Sequence, residues 1–371
     1  MIKLLVVEDD PQMLQAYEDN LNSFNKTAPE KIEIKIAEDL AQAMSALNST
    51  SFDGAIIDLI LKGGAREINA EGNVIIEQII NNLRFPIFVY SGNLGQLDPK
   101  FVENVLFRKY SRDNVVFKFL LDEIVKIHST GVIKILGRTG LVEKYLTEIF
   151  WKHLARSIDY WAGKNKEKTL LRYTIAHLQE HLELDEKGEF EHYYPAEVYI
   201  VPPIKSFVFT GSILRHKTSS DHFIVLSPPC DLAQKKAKSI VMAAIEKKNM
   251  PLVVEKKNIL EKKISEGMNP DDYRKFFDKQ GEARETLNRL VSNSYANKYH
   301  YLPLLNGTIG GFINFQRLTS QSPEELEEHY ELIASVASGF CKDIIARFSY
   351  YYSRQGQPDM DCDELVKHLL V

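Results

Sequence analysis

Acidic side chains follow two continuously apolar stretches near the start of the chain. An acidic triplet at positions 8–10 comes directly after Ile2–Val7, and Asp58 comes directly after Gly54–Ile57. Apolar runs of this kind are typical of parallel strands that are buried on both faces. The carboxyl ends of such strands meet at one edge of the sheet, where doubly wound folds bind ligands. Because carboxylates gathered there repel one another, we expect a hard divalent cation such as Mg²⁺ among them.

The elements that must position these side chains are strands that alternate with amphipathic helices. Strands are predicted at Lys3–Val7, Ile32–Ala37, Ala55–Ile57, Ile87–Tyr90 and Val105–Arg108. Helices are predicted at Gln12–Asn25, Leu40–Leu47, Val74–Leu83, Leu97–Glu103 and Asp113–His128. Such alternation favours right-handed crossovers and a parallel sheet. Ser91 and Lys109, which close the fourth and fifth strands, would then lie at the same edge as the carboxylates.

These residues resemble those of the receiver domains of two-component response regulators, over residues 1 to about 128. The resemblance is carried by residues at four strand ends, namely Glu8 and Asp9, Asp58, Ser91 and Lys109. It implies a flavodoxin-like, doubly wound parallel sheet. It also implies that Asp58 accepts a phosphoryl group from a sensor histidine kinase. A helix cap would explain Asp10, which precedes a proline, but not the other positions together.

The same resemblance implies a metal site and two phosphoryl contacts. The metal ligands for Mg²⁺ would be three carboxylates and one backbone carbonyl, those of Glu8, Asp9, Asp58 and Ile60. Ser91 and Lys109 would contact the phosphoryl group. A carboxylate can attack a phosphohistidine, after which positioning and electrostatics supply most of the catalysis. The chain would therefore catalyse its own aspartyl phosphorylation and dephosphorylation, and no separate enzyme activity is predicted.

Several features depart from the usual receiver pattern. A long segment, residues 62–72, follows Asp58, and its glycines and charges suggest a lid or a partner contact. Tyr110 follows Lys109 where receivers usually have proline, and Leu106 replaces the usual switch aromatic. We therefore expect phosphorylation to change the oligomeric state little. The pattern also resembles, more loosely, the receivers of bacterial anti-phage defence two-component systems.

Composition sets the broad class of the protein. A chain of 371 residues suggests two or three domains, and 44% hydrophobic residues are enough for full cores. No run of about 18 apolar residues is present, so no membrane span is expected, and the N-terminus resembles no signal peptide. The three scattered cysteines are typical of a reducing compartment, without a disulfide framework or a zinc site. We therefore expect a cytoplasmic protein.

Three segments are predicted: the receiver at 1–128, a helical connector at 129–190 and a mixed α+β output or interaction domain at 191–371. The connector reads as one or two long helices over Leu141–His181, which could be a dimer stalk or core helices of the next domain. Short strands are predicted at Glu197–Ile200, Ser206–Phe209, Ser212–Leu214, Phe223–Leu226, Ser239–Ile245, Tyr299–Leu305 and Gly311–Phe315. They suggest a small barrel or sandwich. Helices are predicted at Lys247–Lys263, Asp271–Asn293 and Glu324–Tyr352.

Two motifs of the C-terminal half allow a chemical interpretation. Cys230, in the segment Ser227–Leu232, could be a nucleophile, but Asp231 beside it would oppose thiolate formation. The favoured alternative is a rigid turn with a buried cysteine and a capping aspartate. Asp231 could also join Glu246 and the lysines that follow it in a metal-dependent nuclease site. The favoured alternative there is a solvated helix face, because the Glu-Lys-Lys triplet recurs twice.

A local basic patch raises the question of nucleic-acid binding. Residues 235–263 contain nine lysines and three acidic residues, but no helix-turn-helix pattern, and the whole chain has a net charge of −5. The favoured function is a response regulator that signals through, or buffers phosphate for, a partner. The partners are then a sensor histidine kinase and a downstream effector, with no membrane and with a homodimer left open. The alternatives are a DNA-binding transcriptional regulator and a phosphorylation-gated nuclease.

Overall fold

The computed structural model describes residues 1–61, 71–162, 167–183, 187–189, 191–247, 250–264, 269–354 and 360–370. The chain divides into two compact units, Met1–Glu191 and His192–Val371. Each unit has its own sheet. No helix among the described residues is long and apolar enough to cross a membrane.

The first unit contains a parallel sheet of five strands. They are β1 (Ile2–Val7), β2 (Ile32–Ala37), β3 (Gly54–Ile57), β4 (Ile87–Ser91) and β5 (Phe107–Ser111). The strand order is β2-β1-β3-β4-β5, and every neighbouring pair is parallel. This order places the carboxyl ends of β1 and β3 side by side at the switch point of a doubly wound sheet. The predicted flavodoxin-like fold class is confirmed.

Four helices cover the two faces of this sheet. They are α1 (Pro11–Thr27), α2 (Leu40–Ser49), α3 (Glu71–Asn82) and α4 (Phe117–Ser129). One apolar core lies under α2 and α3, and the other lies under α1 and α4. The side chain of Asp10 accepts a hydrogen bond from the Gln12 amide and caps α1, which is the structural role that its position before Pro11 suggested.

The segment between β4 and β5 differs from the prediction. Residues 97–103 form no helix, and a single 3₁₀ turn, Leu94–Gln96, stands there instead. Asn73 holds the loop by donating to the Gln96 carbonyl and accepting from the Asp98 amide. The strand then begins at Phe107 rather than Val105, because the Asn104 side chain accepts from the amides of Leu106 and Phe107 and so forms a turn. The predicted bounds of the fourth helix and fifth strand were wrong.

A helical hairpin, which we define as residues 141–182, follows the short helix α5 (Val132–Leu136). Its first arm contains α6 (Leu141–Glu148), a π-helical turn (Ile149–Leu154), a 3₁₀ turn (Ala155–Ser157) and α7 (Ile158–Trp161). Its second arm contains α8 (Glu167–Glu180). Tyr145 stacks on His181 at 4.4 Å and Trp161 contacts Tyr173 at 5.4 Å between ring centroids. The two arms are therefore antiparallel.

The second unit contains an antiparallel sheet of seven strands. They are β6 (Tyr199–Ile200), β7 (Ser212–His216), β8 (His222–Val225), β9 (Ile240–Glu246), β10 (Tyr299–Leu305), β11 (Ile309–Gln321) and β12 (Tyr330–Val336). Their order is β10-β11-β9-β8-β7-β12-β6. The Tyr199 hydroxyl on β6 donates to the Pro303 carbonyl on β10 over 2.6 Å, so the two end strands meet and the sheet curls on itself. A mixed α+β second domain with a curled sheet is confirmed.

Six helices accompany this sheet: α9 (Pro229–Ala233), α10 (Pro251–Leu260), α11 (Pro270–Val291), α12 (Pro323–His329), α13 (Ser338–Ser353) and α14 (Cys362–Leu369). The long closing helix predicted at Glu324–Tyr352 is wrong, because β12 interrupts it and pairs with β7 and β6. No strand forms at Ser206–Phe209, and the helix predicted from Lys247 begins at Pro251. The apolar spacing of residues 330–336 suggested a helix. Pairing with the neighbouring strands makes them a strand instead.

Candidate phosphoacceptor and metal site

Three carboxylates meet at the carboxyl edge of the first sheet. Oxygen atoms of Glu8, Asp9 and Asp58 all lie within 4.8 Å of one another. The register explains this, since Val7 of β1 pairs with Ile57 of β3 and the acidic residues come next in each strand. The three side chains are buried, with 1%, 9% and 7% of their respective residue surfaces exposed. The structure therefore brings together the three side chains that the sequence predicted as metal ligands.

Short-range hydrogen bonds fix the orientation of the carboxylates. Glu8 Oε1 accepts from the amides of Asp9 and Asp10, both at 3.1 Å, and Oε2 accepts from the Tyr17 hydroxyl at 3.1 Å. Asp58 Oδ1 accepts from the Leu59 amide at 2.8 Å. One oxygen of Asp58 is thus held by backbone, and Oδ2 faces the side chains around the site.

The first turn of α3 packs directly on the backbone that carries Asp58. A Cβ atom added to Gly72 would lie 2.5 Å from the Asp58 carbonyl oxygen and 2.7 Å from the Leu59 Cα. Because both contacts are with backbone, they cannot be relieved by a side-chain rotation. Only glycine fits here, and the close approach fixes the position of the backbone around residue 58.

A partly buried arginine, which the sequence analysis did not select, joins the carboxylates. Arg112 Nη2 contacts Glu8 Oε2 and lies 3.1 Å from Asp58 Oδ2. Arg112 Nε donates to the Tyr90 carbonyl at 3.2 Å, and the guanidinium lies over the Tyr90 ring. Arg112 directly follows β5, so it occupies the strand-end position from which a cation can reach Asp58.

Burial and charge shift the pKa values of this group. Burial raises the pKa of Glu8 above its usual range, and the neighbouring Arg112 opposes this only in part. Burial alone would lower the pKa of Arg112, but Asp58, Tyr17 and Glu8 together raise it. Burial also raises the pKa of the Tyr17 hydroxyl, which therefore remains a hydrogen-bond donor to Glu8.

Ser91 and Lys109 are placed differently. Ser91 ends β4 with 1% of its surface exposed, and its Oγ accepts from the Asn93 amide at 3.3 Å. Lys109 pairs in register with Val89, two residues before the end of β4. Its Nζ lies 3.5 Å from Glu103 Oε2 on a half-exposed side chain. The structure does not bring Lys109 to Asp58.

A shift of two to three residues in the strand explains why sequence reasoning selected Lys109. The apolar pair Val105 and Leu106 suggested an early strand, but these side chains are 65% and 40% exposed. The observed register pairs Ser91 with Ser111 and leaves Arg112 at the strand end. If the fifth strand had been predicted at residues 107–111, the sequence would have indicated Arg112 as the cation at the strand end.

The donor set fits a hard divalent cation. Three carboxylates converge in a buried site, and oxygen ligands are those that Mg²⁺ prefers. Ligand oxygens around Mg²⁺ lie up to about 4.2 Å apart, which small side-chain movements reach from the observed spacing. Ile60, whose carbonyl was predicted as a further ligand, is partly buried against the α2–α3 core. Most of the long segment after it, residues 62–70, lies outside the described residues.

Ser227 anchors the segment Ser227–Leu232, which contains Cys230. Ser227 is 4% exposed, its Oγ accepts from the Val241 amide at 2.8 Å, and its carbonyl accepts from Thr210. Cys230 is exposed in the first turn of α9, so the prediction of a buried cysteine was wrong. Its Sγ lies 3.6 Å from Asp231 Oδ1.

The residues of the nuclease interpretation do not form a group of metal ligands. Glu246 Oε1 accepts from Asn314 Nδ2 at 2.9 Å and pairs with Arg317 at 3.3 Å. Over the described part of the chain, the group of three or more potential ligands is the one around Asp58. Lys248 lies outside the described residues. Glu246 is thus neutralised by protein groups of its own sheet.

Comparisons with known proteins gave similar solved structures for about a third of the chain. No protein-family model matches the chain, and no curated protein matches it. A CheY-like response regulator receiver domain from Methylobacillus flagellatus is similar, with 18% identity and a TM-score of 0.27, covering 34% of this chain and 98% of that one. A two-component response regulator from Clostridium difficile has 16% identity and a TM-score of 0.26, covering 35% of this chain and 97% of that one.

A third similar structure is the signal receiver domain of an HD domain-containing protein from Pseudomonas fluorescens Pf-5. It has 18% identity and a TM-score of 0.28, covering 35% of this chain and 95% of that one. By its strand order and the carboxylates at its switch point, the segment of residues 1 to about 128 has the fold of a response-regulator receiver domain.

Proposed function

We propose that this protein is a response regulator in which Asp58 accepts a phosphoryl group from the phosphohistidine of a sensor kinase. The observation that carries the proposal is the buried group of three carboxylates with the guanidinium of Arg112 beside Asp58 Oδ2. In the reaction, a carboxylate oxygen of Asp58 forms the new bond to phosphorus as the phosphorus–nitrogen bond of the donor breaks. The imidazole then leaves with a proton from the solvent, and an acyl phosphate remains on Asp58.

Arg112 supplies the cation that we predicted at Lys109. Its guanidinium already contacts Asp58, and its planar donors match two oxygens of a phosphoryl group. Because Arg112 is largely buried and bonded to the Tyr90 carbonyl, it is held in place before the donor arrives. Such preorganised charge stabilises the transition state more than a mobile surface lysine can.

The remaining groups have defined tasks. Ser91 places a buried hydroxyl at the end of β4, next in the sheet to the strand that leads into Arg112, where it can donate to a phosphoryl oxygen. Glu8, Asp9 and Asp58 would hold Mg²⁺, which when bound neutralises the phosphoryl oxygens. Tyr17 and the amides of Asp9 and Asp10 keep Glu8 oriented toward that position.

The second unit is the proposed output or interaction domain. Glu246, which a nuclease site would require, is neutralised by Asn314 and Arg317 within its own sheet. We therefore favour signalling to, or phosphate buffering for, a partner protein. Use in phage defence rests on the sequence resemblance alone, and plaque counts on cells carrying wild type or Asp58→Asn would test it.

The central experiment is phosphorylation by a small-molecule phosphodonor with Mg²⁺, followed on phosphate-affinity gels. We expect one modified species for the wild type and none for Asp58→Asn. Asp113→Asn is the matched control, because Asp113 is an exposed carboxylate close to the site in sequence and should be modified like the wild type. Equal modification of wild type and Asp58→Asn would overturn the proposal.

A further inference from the structure

Three histidines lie between the two arms of the helical hairpin. The rings of His153, on the first arm, and His177, on α8, have their centroids 4.9 Å apart and are tilted by 67° to each other. His181, one turn further along α8, stacks on Tyr145 of the first arm at 4.4 Å between centroids. These ring contacts run from one arm to the other, so all three imidazoles lie on the sides at which the arms face each other.

The π-helical turn brings His153 to this side of the first arm. In a regular α-helix, His153 would lie about 80° around the axis from Tyr145, which also faces α8. The turn at Ile149–Leu154 is π-helical, and taking up one extra residue moves His153 back by about 100°, to within about 20° of Tyr145. Such turns are rare and frequently occur at functional sites. The effect of this one is to align His153 with the histidines of α8.

The nitrogens of His177 are arranged as in a metal ligand. His177 Nδ1 lies 2.9 Å from the Tyr173 carbonyl oxygen. Because a carbonyl can only accept, Nδ1 carries the proton and Nε2 presents a lone pair. Histidines that bind metals usually donate their other nitrogen to a carbonyl or a carboxylate in this way. His181 follows at i+4, and two histidines at this spacing lie on one face of a helix, where they can bind one zinc ion.

A carboxylate lies at the level of these imidazoles. Glu148 directly precedes the π-helical turn, between Tyr145 and His153 in the first arm, and Lys152 Nζ donates to its Oε1 at 2.6 Å. Lys152 is the main cause of the lowered pKa of Glu148, and the charges of His181 and His153 lower this pKa further. Both rings are therefore close enough to the carboxylate to interact with its charge. Glu148 thus adds an oxygen ligand to three nitrogen ligands.

The hairpin has little apolar core to hold its arms together. Ile149 is the one buried side chain among its described residues, 141–162 and 167–182. Isolated helices of this length are marginal in water, and most helical stability comes from packing of an apolar face. A metal ion that bridges two segments can supply the missing stability, as structural zinc does in small domains.

We propose that the hairpin binds one zinc ion between its arms, with His153, His177 and His181 as nitrogen ligands and Glu148 as the fourth ligand. With a zinc–nitrogen distance of about 2.0 Å and a tetrahedral angle, the centres of two imidazole ligands lie roughly 5 Å apart, which is close to the separation of His153 and His177. Imidazole ligands suit zinc, whereas Mg²⁺ takes oxygen ligands. The zinc ion fastens the two arms together, and its binding does not depend on phosphorylation of Asp58.

The site closes by side-chain rotation. Within the described residues, the group whose ligand atoms already converge within 4.8 Å is the one around Asp58, so the ligand atoms of the hairpin lie further apart. His153 is exposed and His181 is partly exposed, so both rings can turn toward His177 Nε2 without moving core atoms. The zinc ion therefore orders side chains that are already neighbours.

The first test is a calorimetric zinc titration of the full chain. We expect the wild type to bind one zinc ion whose affinity falls by at least about 100-fold in His177→Phe, because phenylalanine keeps the ring contacts and removes the nitrogens. Zinc taken up by the carboxylates around Asp58 is the same in both chains and cancels in the comparison. His368→Phe, at an exposed histidine of α14, is the matched control and should bind zinc like the wild type. Equal zinc binding by the wild type and His177→Phe would overturn the proposal.

The second test locates the zinc ion by hydrogen exchange of the backbone amides. With free zinc about 100-fold above its dissociation constant, exchange of the α8 amides should slow by up to about 100-fold in the wild type, because the ion binds the closed hairpin and not the open one. A chelator should restore the original rate, and Glu148→Gln should weaken zinc binding by about tenfold. Circular dichroism would show that the helices are retained in each variant. Zinc that binds the wild type without slowing exchange in α8 would show that the ion lies elsewhere and would overturn the proposal.

Discussion

Carboxylates that are partly or fully buried occur in both units, but their surroundings differ. Glu8 and Asp58 share the guanidinium of Arg112, and the oxygens of Glu8, Asp9 and Asp58 lie close enough to ligate a common ion. Glu246 in the second unit is alone, with an amide donor from Asn314 and an arginine beside it. Three carboxylates that converge in one buried site indicate a ligand site, whereas a single carboxylate paired within its own sheet indicates a structural role.

The arginines of the two regions offer the largest expected contrast. Arg112→Ala should slow phosphorylation of Asp58 by about 100- to 1,000-fold, because it removes a preorganised cation from the developing charge. Arg317→Ala removes the cation beside Glu246 and should leave the rate unchanged. Rates of acyl phosphate formation with a small phosphodonor measure both. Lys109→Ala is the matched control at the first site, with a change below about twofold expected. If Lys109→Ala slowed phosphorylation as much as Arg112→Ala, Lys109 would be the cation that stabilises the phosphoryl group.

In the second unit, burial keeps the side chain of His300 uncharged. His300 is 6% exposed, and its pKa is lowered to about 4, mainly by burial. The charge of Asp343 raises this pKa in part, and the charge of Arg347 lowers it. Between this value and the ordinary 6.5, the unfolded state binds a proton that the folded state does not. Stability should therefore fall as pH falls through this window, by up to about 3 kcal/mol. Hydrogen exchange of β10 in urea at pH 7 and pH 5 would measure it, and His300→Leu should remove most of the pH dependence.

Two glycines differ in the space around them, and the effects of replacing them should differ accordingly. Gly72→Ala should destabilise the first unit by about 1–3 kcal/mol, because the new Cβ has only backbone to displace. It should also slow phosphorylation by moving Asp58. Gly281→Ala, inside α11 with open space around it, should stabilise the second unit by about 0.5–1 kcal/mol. Thermal melts of both variants, with hydrogen exchange to assign each unit, provide the measurement. A harmless Gly72→Ala would show that the loop after Asp58 can move aside.

The pH dependence of metal binding tests whether Glu8 is a ligand of the metal. Since burial raises the pKa of Glu8, protons compete with Mg²⁺ at a higher pH than they would at an ordinary carboxylate. We expect Mg²⁺ affinity to fall as pH is lowered, by up to about tenfold per pH unit once Glu8 protonates. Calorimetric titration at several pH values would show this. Glu8→Gln should weaken binding and flatten the profile, and an unchanged profile would place Glu8 outside the metal's ligands.

The sequence by itself determined the parallel sheet and most of its site. Continuous apolar runs gave β1, β3 and β4, and the carboxylates and serine that follow them could then lie only at one edge of the sheet. The division of the remaining chain into the segments 129–190 and 191–371, and what these segments do, stay predictions. The local sequence pattern is enough to predict a strand that is buried on both faces, because a continuous apolar run is best removed from water inside a parallel sheet.

Tertiary structure decided the residues whose state depends on distant partners. β5 begins at Phe107 because its register with β4 and the turn at Asn104 outweigh the apolar character of Val105 and Leu106. With that shift, Arg112 lies beside Asp58 and Lys109 lies beside Glu103. β12 became a strand because β7 and β6 offered backbone partners for it. An edge strand and its neighbours are selected by hydrogen bonds across the sheet, which no window along the chain contains.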